Sequence, residues 1–168
     1  SDVVLRDLAI ECTRGHGIRI TGGRNLVIAG CRVHGVGNDA VSITGGFHHT
    51  VTGCDTAYTG DGGVRVSGGD RKTLAPCGHV VENCHIHHIG RVKAPYNPAA
   101  RLNGVGLRVS HCLIHDCPHG GLGYVGNDHT IEYSEFTRIG YDAGDTGTIY
   151  TAMDWTYQRP RITASQSS

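Results

Sequence analysis

Val81-Glu82-Asn83-Cys84-His85-Ile86 decides the fold, because its apolar-x-x-small-x-apolar pattern recurs along the chain. Upstream stand Leu5-Arg6-Asp7-Leu8-Ala9-Ile10, Ile28-Ala29-Gly30-Cys31-Arg32-Val33 and Val51-Thr52-Gly53-Cys54-Asp55-Thr56. Downstream stand Val109-Ser110-His111-Cys112-Leu113-Ile114 and Ile131-Glu132-Tyr133-Ser134-Glu135-Phe136. The fourth position reads Leu8, Cys31, Cys54, Cys84, Cys112, Ser134, at spacings of 23, 23, 30, 28 and 22 residues. A second ladder follows ten and twelve residues later at Ile18 and Ile20, Val41 and Ile43, Val64 and Val66, and Leu122 and Tyr124.

Each unit thus carries two short runs of period-two alternation, separated by glycine turns. No run holds the 3.6-residue period of a helix. A unit this short cannot bury its own apolar face, whereas stacked copies bury a continuous one at the strand spacing of about 4.8 Å. The L-x-x-L-x-L signature of leucine-rich repeats is absent, and 23 is not a multiple of six. The expected architecture is all-β: a right-handed parallel β-helix of about six coils of 22–30 residues. One domain spans residues 1–157, with excursions at 70–78 and 91–98 and a polar tail at 158–168. The start at Ser1-Asp2 and the barely closed sixth coil read as a piece of a longer solenoid.

The 168 residues carry a net charge of +0, which offers no basic field for nucleic acid. No apolar run approaches the 18 residues of a membrane span. The seven cysteines contain no C-x-x-C pair. Four of them share one repeat position between apolar neighbours, as a buried reduced ladder would.

Alternation places the residue three after the ladder outside: Glu11, His34, Ala57, His87, His115, Thr137. The next position adds His88, Asp116 and Arg138, and the following turn Asp61, His119 and Asp142. His87, His88, His115, Asp116, His119, Asp142 and Asp145 are therefore expected on one flank of the last three coils. Singly, each has a bland reading as a turn or loop hydrogen-bonding residue. Together they are hard to explain as packing. No H-E-x-x-H stretch is present, and no metal site is assigned.

The segments Glu82 to His88, Arg101 to Gly106, His115-Asp116-Cys117-Pro118-His119, Gly126 to Tyr133, and Gly144 to Tyr150 with Asp154-Trp155 resemble bacterial pectate-lyase-like right-handed β-helix proteins, among them glycoside hydrolases acting on plant cell-wall glycans. The resemblance implies an exported carbohydrate-active protein, secreted or periplasmic and monomeric, with a polysaccharide or oligosaccharide as its partner. It implies catalytic roles for Asp116, Asp145 and Asp154. Asp142 stands where the pattern has Glu, and Ala152-Met153 where it has Gly-Arg.

Three functions are open at this stage. A glycoside hydrolase needs two carboxyl groups about 5–9.5 Å apart; the candidates are Asp116, Asp145 and Asp154, with His87, His88, Arg101, Asn103, His115, His119, Asp142 and Trp155 binding substrate. A polysaccharide lyase needs its uronate neutralised by calcium or arginine, for which Arg101 and Arg65 qualify, and a base such as His87 or Lys93. Only the lyase would call for a cofactor, calcium, and the chain has no dense Asp cluster for it. The third is a non-catalytic glycan-binding module, with Trp155, Tyr96, Tyr141 and Tyr150 as stacking platforms.

Overall fold

The computed structural model describes residues 2–151, 154, 156–157, 160–163 and 166–167. All the named strands pair in parallel and stack into three sheets. Sheet A contains Val4–Arg6, Val27–Ala29, Thr50–Thr52, Val80–Glu82, Arg108–Ser110, Thr130–Glu132 and Arg161–Thr163. Sheet B contains Ala9–Glu11, Arg32–His34, Asp55–Ala57, His85–His87, Leu113–Cys117, Glu135–Ile139 and Gln166–Ser167. Sheet C contains Ile18–Thr21, Val41–Thr44, Val64–Gly68, Ala100–Val105, Leu122–Asn127 and Ile149–Thr151. The register follows the repeat alignment: Leu5, Ile28, Val51, Val81, Val109 and Ile131 lie over one another.

Two expectations change. Each coil has three strands, not two runs, because the six-residue pattern turns a corner in its middle. The residue before the ladder position has positive φ in all six units: Asp7, Gly30, Gly53, Asn83, His111 and Tyr133. That left-handed step ends the sheet A strand and starts the sheet B strand. A second left-handed column follows at Cys12, Gly35, Tyr58, His88, Asp116 and Arg138; it ends the sheet B strand in the first four coils and lies inside the longer strands Leu113–Cys117 and Glu135–Ile139. The second change concerns the segment expected as a polar tail. Arg161–Thr163 pairs with Thr130–Glu132 and Gln166–Ser167 with Glu135–Phe136, adding a seventh rung.

The core is the inward column of each sheet, including Ile28, Val51, Val81, Val109 and Ile131 from A, and Val33, Ile86, Ile114 and Phe136 from B. The ladder residues fill the A–B corner. Cys31, Cys54, Cys84 and Cys112 are buried and free. Leu8, on the first coil, is instead exposed. Each ladder thiol donates to the carbonyl two residues before it, as Cys84 Sγ does to Glu82 O at 3.2 Å. Ser134 Oγ does the same at 3.1 Å, which explains why serine can end a cysteine column. The neighbouring Cys112 and Cys54 thiols, together with burial, push the Cys84 thiol upward, so it stays protonated.

A column that sequence reading missed lies five residues before the ladder. His49, His79 and His129 are all buried there. Each Nδ1 accepts a backbone N–H from the coil before: Leu26 N to His49 at 3.2 Å, His49 N to His79 at 3.1 Å, and Leu107 N to His129 at 3.3 Å. His49 and His79 stack with centroids 4.9 Å apart. Burial, then the His49 ring, lowers the His79 pKa from 6.5 to about 4. The folded state thus refuses a proton that the unfolded chain accepts. This contribution to stability is complete above about pH 6.5 and is lost as pH falls toward about 4. The loss is on the order of 3 kcal/mol at about 1.4 kcal/mol per pKa unit. The thermal midpoint should therefore fall across that window, and His79→Gln should flatten the fall. An unchanged acid limb in the variant would show that His79 does not set it.

Candidate functional site

Two clusters of functional side chains lie on different sheets. The first occupies the outer face of sheet C, where alternation turns out Arg19, Ser42, Arg65, Arg101, Gly123 and Tyr150 in register. Gly123 supplies no side chain between Arg101 and Tyr150, and a Cβ there would stand 3.0 Å from Pro98 Cγ. The result is a cavity of about 410 Å³ lined by Tyr96, Pro98, Arg101, His119, Tyr124 and Tyr150, among others. A second hollow of about 420 Å³ shares Tyr96 and Arg101 and adds His16, Asp39, Asp61, Arg65, Lys93 and Asn97. The two form one groove, and the 91–98 excursion supplies Lys93, Pro95, Tyr96, Asn97 and Pro98 to its wall.

The charges in the groove are unequally matched. Asp39, with its side chain 3% exposed, lies 3.0 Å from Arg65 Nε and 3.6 Å from His16 Nδ1. Its Oδ1 accepts from Gly62 N at 3.1 Å. Asp61 accepts from Asn38 Nδ2 at 2.9 Å. Arg101 donates only a 3.4 Å bond to the Tyr96 carbonyl and pairs with no carboxylate among the described residues. Burial, then Arg65, lowers its pKa, yet a guanidinium remains protonated at any working pH. The groove therefore holds a half-buried cation that makes no ion pair among the described residues, with Asp39 acting on it only at longer range, beside the Tyr96 and Tyr150 rings.

The second cluster covers the outer face of sheet B. Register stacks His34, Ala57, His87 and His115 in one column and Arg32, Asp55, His85 and Leu113 in the other. Asp55 lies 3.1 Å from His34 Nε2, 3.3 Å from His85 Nδ1 and 3.1 Å from His87 Nε2. His85 Nε2 faces His115 Nε2 at 2.7 Å, and His87 Nδ1 faces His88 Nδ1 at 2.7 Å. His115 Nδ1 meets Asp116 at 2.5 Å, and Arg138 donates to both carboxylate oxygens of Asp116. The Arg138 bonds hold the Asp116 carboxyl far below the usual range, so it is no proton donor. Burial, foremost, lowers the pKa of both His85 and His87.

The expected flank is thus divided. His87, His88, His115 and Asp116 do meet on sheet B, joined by His34, Asp55 and His85, which sequence reading did not select. His119 instead turns to the groove, its ring 5.1 Å from Tyr96, with Thr146 Oγ1 3.4 Å from its Nδ1. Arg101 lies in the groove, and Asn103 is exposed further along the same strand. Asp142 and Asp145 are exposed in the segment between sheets B and C. Asp154 accepts from Thr156 N at 2.9 Å and lies 3.9 Å from Arg71, beside the 70–78 excursion rather than the groove. The Thr156 hydrogen bonds lower its pKa. Asp116 and Asp154 thus hold separate partners on separate parts of the coil. Ala152, Met153 and Trp155 lie outside the described residues.

The groove residues that the reading missed, His16 and Asp39, share a column eight residues after the ladder. Residues 1–77 match the family model described as "Right handed beta helix region". No curated protein and no solved structure matches the chain.

Proposed function

We propose that this chain, a right-handed parallel β-helix by its family match and its three stacked parallel sheets, is a carbohydrate-active protein that holds a uronate-bearing polysaccharide in the sheet C groove. The observation that carries the reading is Arg101, a partly desolvated guanidinium that makes no ion pair with a carboxylate among the described residues, set beside Tyr96 and Tyr150. Tyrosine faces stack on sugar rings, and an arginine fork matches a carboxylate. A glycan of this kind lies outside the cell, which fits an exported protein.

The reaction favoured by these residues is β-elimination. Arg101 and Arg65 neutralise the uronate carboxylate, which acidifies the proton on the adjacent ring carbon. Lys93, on the same groove wall, would take that proton as its free amine; the C–H electron pair forms the ring double bond as the glycosidic C–O bond breaks, and water in the open groove protonates the leaving oxygen. Calcium does not fit this neutralising role. The acidic residues lining the groove are Asp39 and Asp61, and Asp39 already faces Arg65. Hydrolysis is the second reading, carried by the presence of Asp39 and Asp61 in one hollow; Asp116 and Asp154 stand elsewhere.

A panel of uronate polymers and neutral glycans separates these readings. Elimination produces unsaturated uronate ends that absorb in the ultraviolet, and hydrolysis produces reducing ends without that absorbance. We expect the absorbance with uronate polymers only, and its loss in Lys93→Ala. Reducing ends alone, sensitive to Asp61→Asn, would assign hydrolysis. Binding without either product would leave the groove as a glycan-docking site.

A further inference from the structure

We infer that the histidine face of sheet B is a binding site for one divalent transition-metal ion of the zinc class, with His85, His87 and His115 as its ligands. This face is separate from the sheet C groove, and the inference does not depend on what the groove binds.

Three parallel strands build the face. Neighbouring strands lie about 4.8 Å apart, so imidazoles on adjacent rungs come within reach of a single ion. One ring nitrogen from each of His85, His87 and His115 lies within 4.8 Å of the other two. Two overlapping trios, His34–Asp55–His87 and His88–His115–Asp116, meet the same condition.

The carboxylates set the tautomers. An ionised carboxylate only accepts, so the imidazole nitrogen facing it carries the proton. Asp116 faces His115 Nδ1, and Asp55 faces His85 Nδ1 at 3.3 Å. Both Nε2 atoms are left with lone pairs, and these point at one another across 2.7 Å. Asp55 likewise faces His87 Nε2 and leaves His87 Nδ1 unprotonated, where it accepts from His88 Nδ1 across 2.7 Å; the exposed His88 ring must turn away to release that lone pair to an ion. Two ring nitrogens at 2.7 Å need either a shared proton or a metal ion between them, as His85 Nε2 and His115 Nε2 do, and a metal ion competes for that position. An ion with metal–nitrogen bonds of about 2.0–2.1 Å at tetrahedral angles would spread the pair by about 0.6 Å, within reach of side-chain rotation.

A metal-binding histidine commonly donates its other N–H to a carboxylate, which fixes the ring and strengthens the ligand. Asp55 and Asp116 stand in those positions. Arg138 holds Asp116 from its far side. His87 and His115 are largely covered, with side chains 13% and 15% exposed, whereas His85 is 41% exposed. The site is therefore open on one side, leaving a coordination position for water or a ligand. Imidazole donors favour zinc, copper and nickel over magnesium or calcium.

The test is calorimetric titration of the chelator-treated full chain with zinc chloride at neutral pH. We expect one ion bound at micromolar or tighter affinity, and a His85→Gln/His115→Gln variant weakened at least 100-fold. His111→Asn removes an exposed histidine away from this face, in a left-handed position that asparagine tolerates, and should bind as the parent does. Imidazole nitrogen NMR on the unmutated chain avoids any question of folding: zinc should move the His85 and His115 Nε2 resonances. The absence of binding, an unweakened double variant, or unmoved Nε2 resonances would each overturn the assignment.

Discussion

Gly104→Ala is expected to cost more than about 4 kcal/mol and to leave little folded protein, a loss at the far end of what single substitutions produce. Gly68, Gly104 and Gly126 stack in register in sheet C. Gly104 has φ +129°, a conformation closed to side chains, and a Cβ there would sit 1.8 Å from the Gly68 carbonyl oxygen. Both atoms belong to backbone held in a parallel ladder, so neither yields without separating two coils. Because each coil contacts only its neighbours, a break at this rung divides the solenoid's core. Gly22→Ala is the matched comparison. Gly22 has φ +65° and open space where its Cβ would go, so only the left-handed backbone penalty of about 1–2 kcal/mol applies. Denaturant midpoints should separate the two variants widely. Similar midpoints would show that the close approach of the coils at Gly104 carries little of the stability.

Arg101→Ala carries the largest expected functional effect. Its guanidinium makes no ion pair with a carboxylate among the described residues, and a charge-assisted hydrogen bond to a bound uronate is worth about 1.5–3 kcal/mol. Affinity for a uronate oligosaccharide should fall by at least tenfold, with the fold intact, because Arg101 points outward and makes one long backbone contact. Arg65→Ala is a less clean probe, since it also leaves the buried Asp39 without its arginine. Neutral oligosaccharides should bind the parent and Arg101→Ala alike. An Arg101→Ala chain that retains full affinity for uronate would move the anion site elsewhere.

The fold was legible because a single repeated position, from Cys31 to Ser134, carries the register, and the spacings of 23, 23, 30, 28 and 22 recur in the strand pairing. The corners were not. The left-handed residue before the ladder is Asp7, Gly30, Gly53 or Asn83 in four coils, all types that tolerate that backbone. It is His111 and Tyr133 in the other two, so no residue type marks the column. For the site, the +3 column led to His87 and His115, but the histidine face also needs Asp55 and His85 from the +1 column on the same side of the strand. The groove was hidden for a different reason. Its hollow is the absence of a side chain at Gly123, and its wall is an excursion whose path over sheet C is not written in any periodicity. Asp39 became a site residue only because Arg65, 26 positions later, lies one coil away.

The most direct measurement of the central claim is an amide NMR titration of the chain with a uronate trisaccharide. Saturable shifts should centre on Gly123 and Arg101 along sheet C, and all should be lost in Arg101→Ala. Shifts centred on the sheet B histidines, or no saturable shifts at all, would contradict the claim.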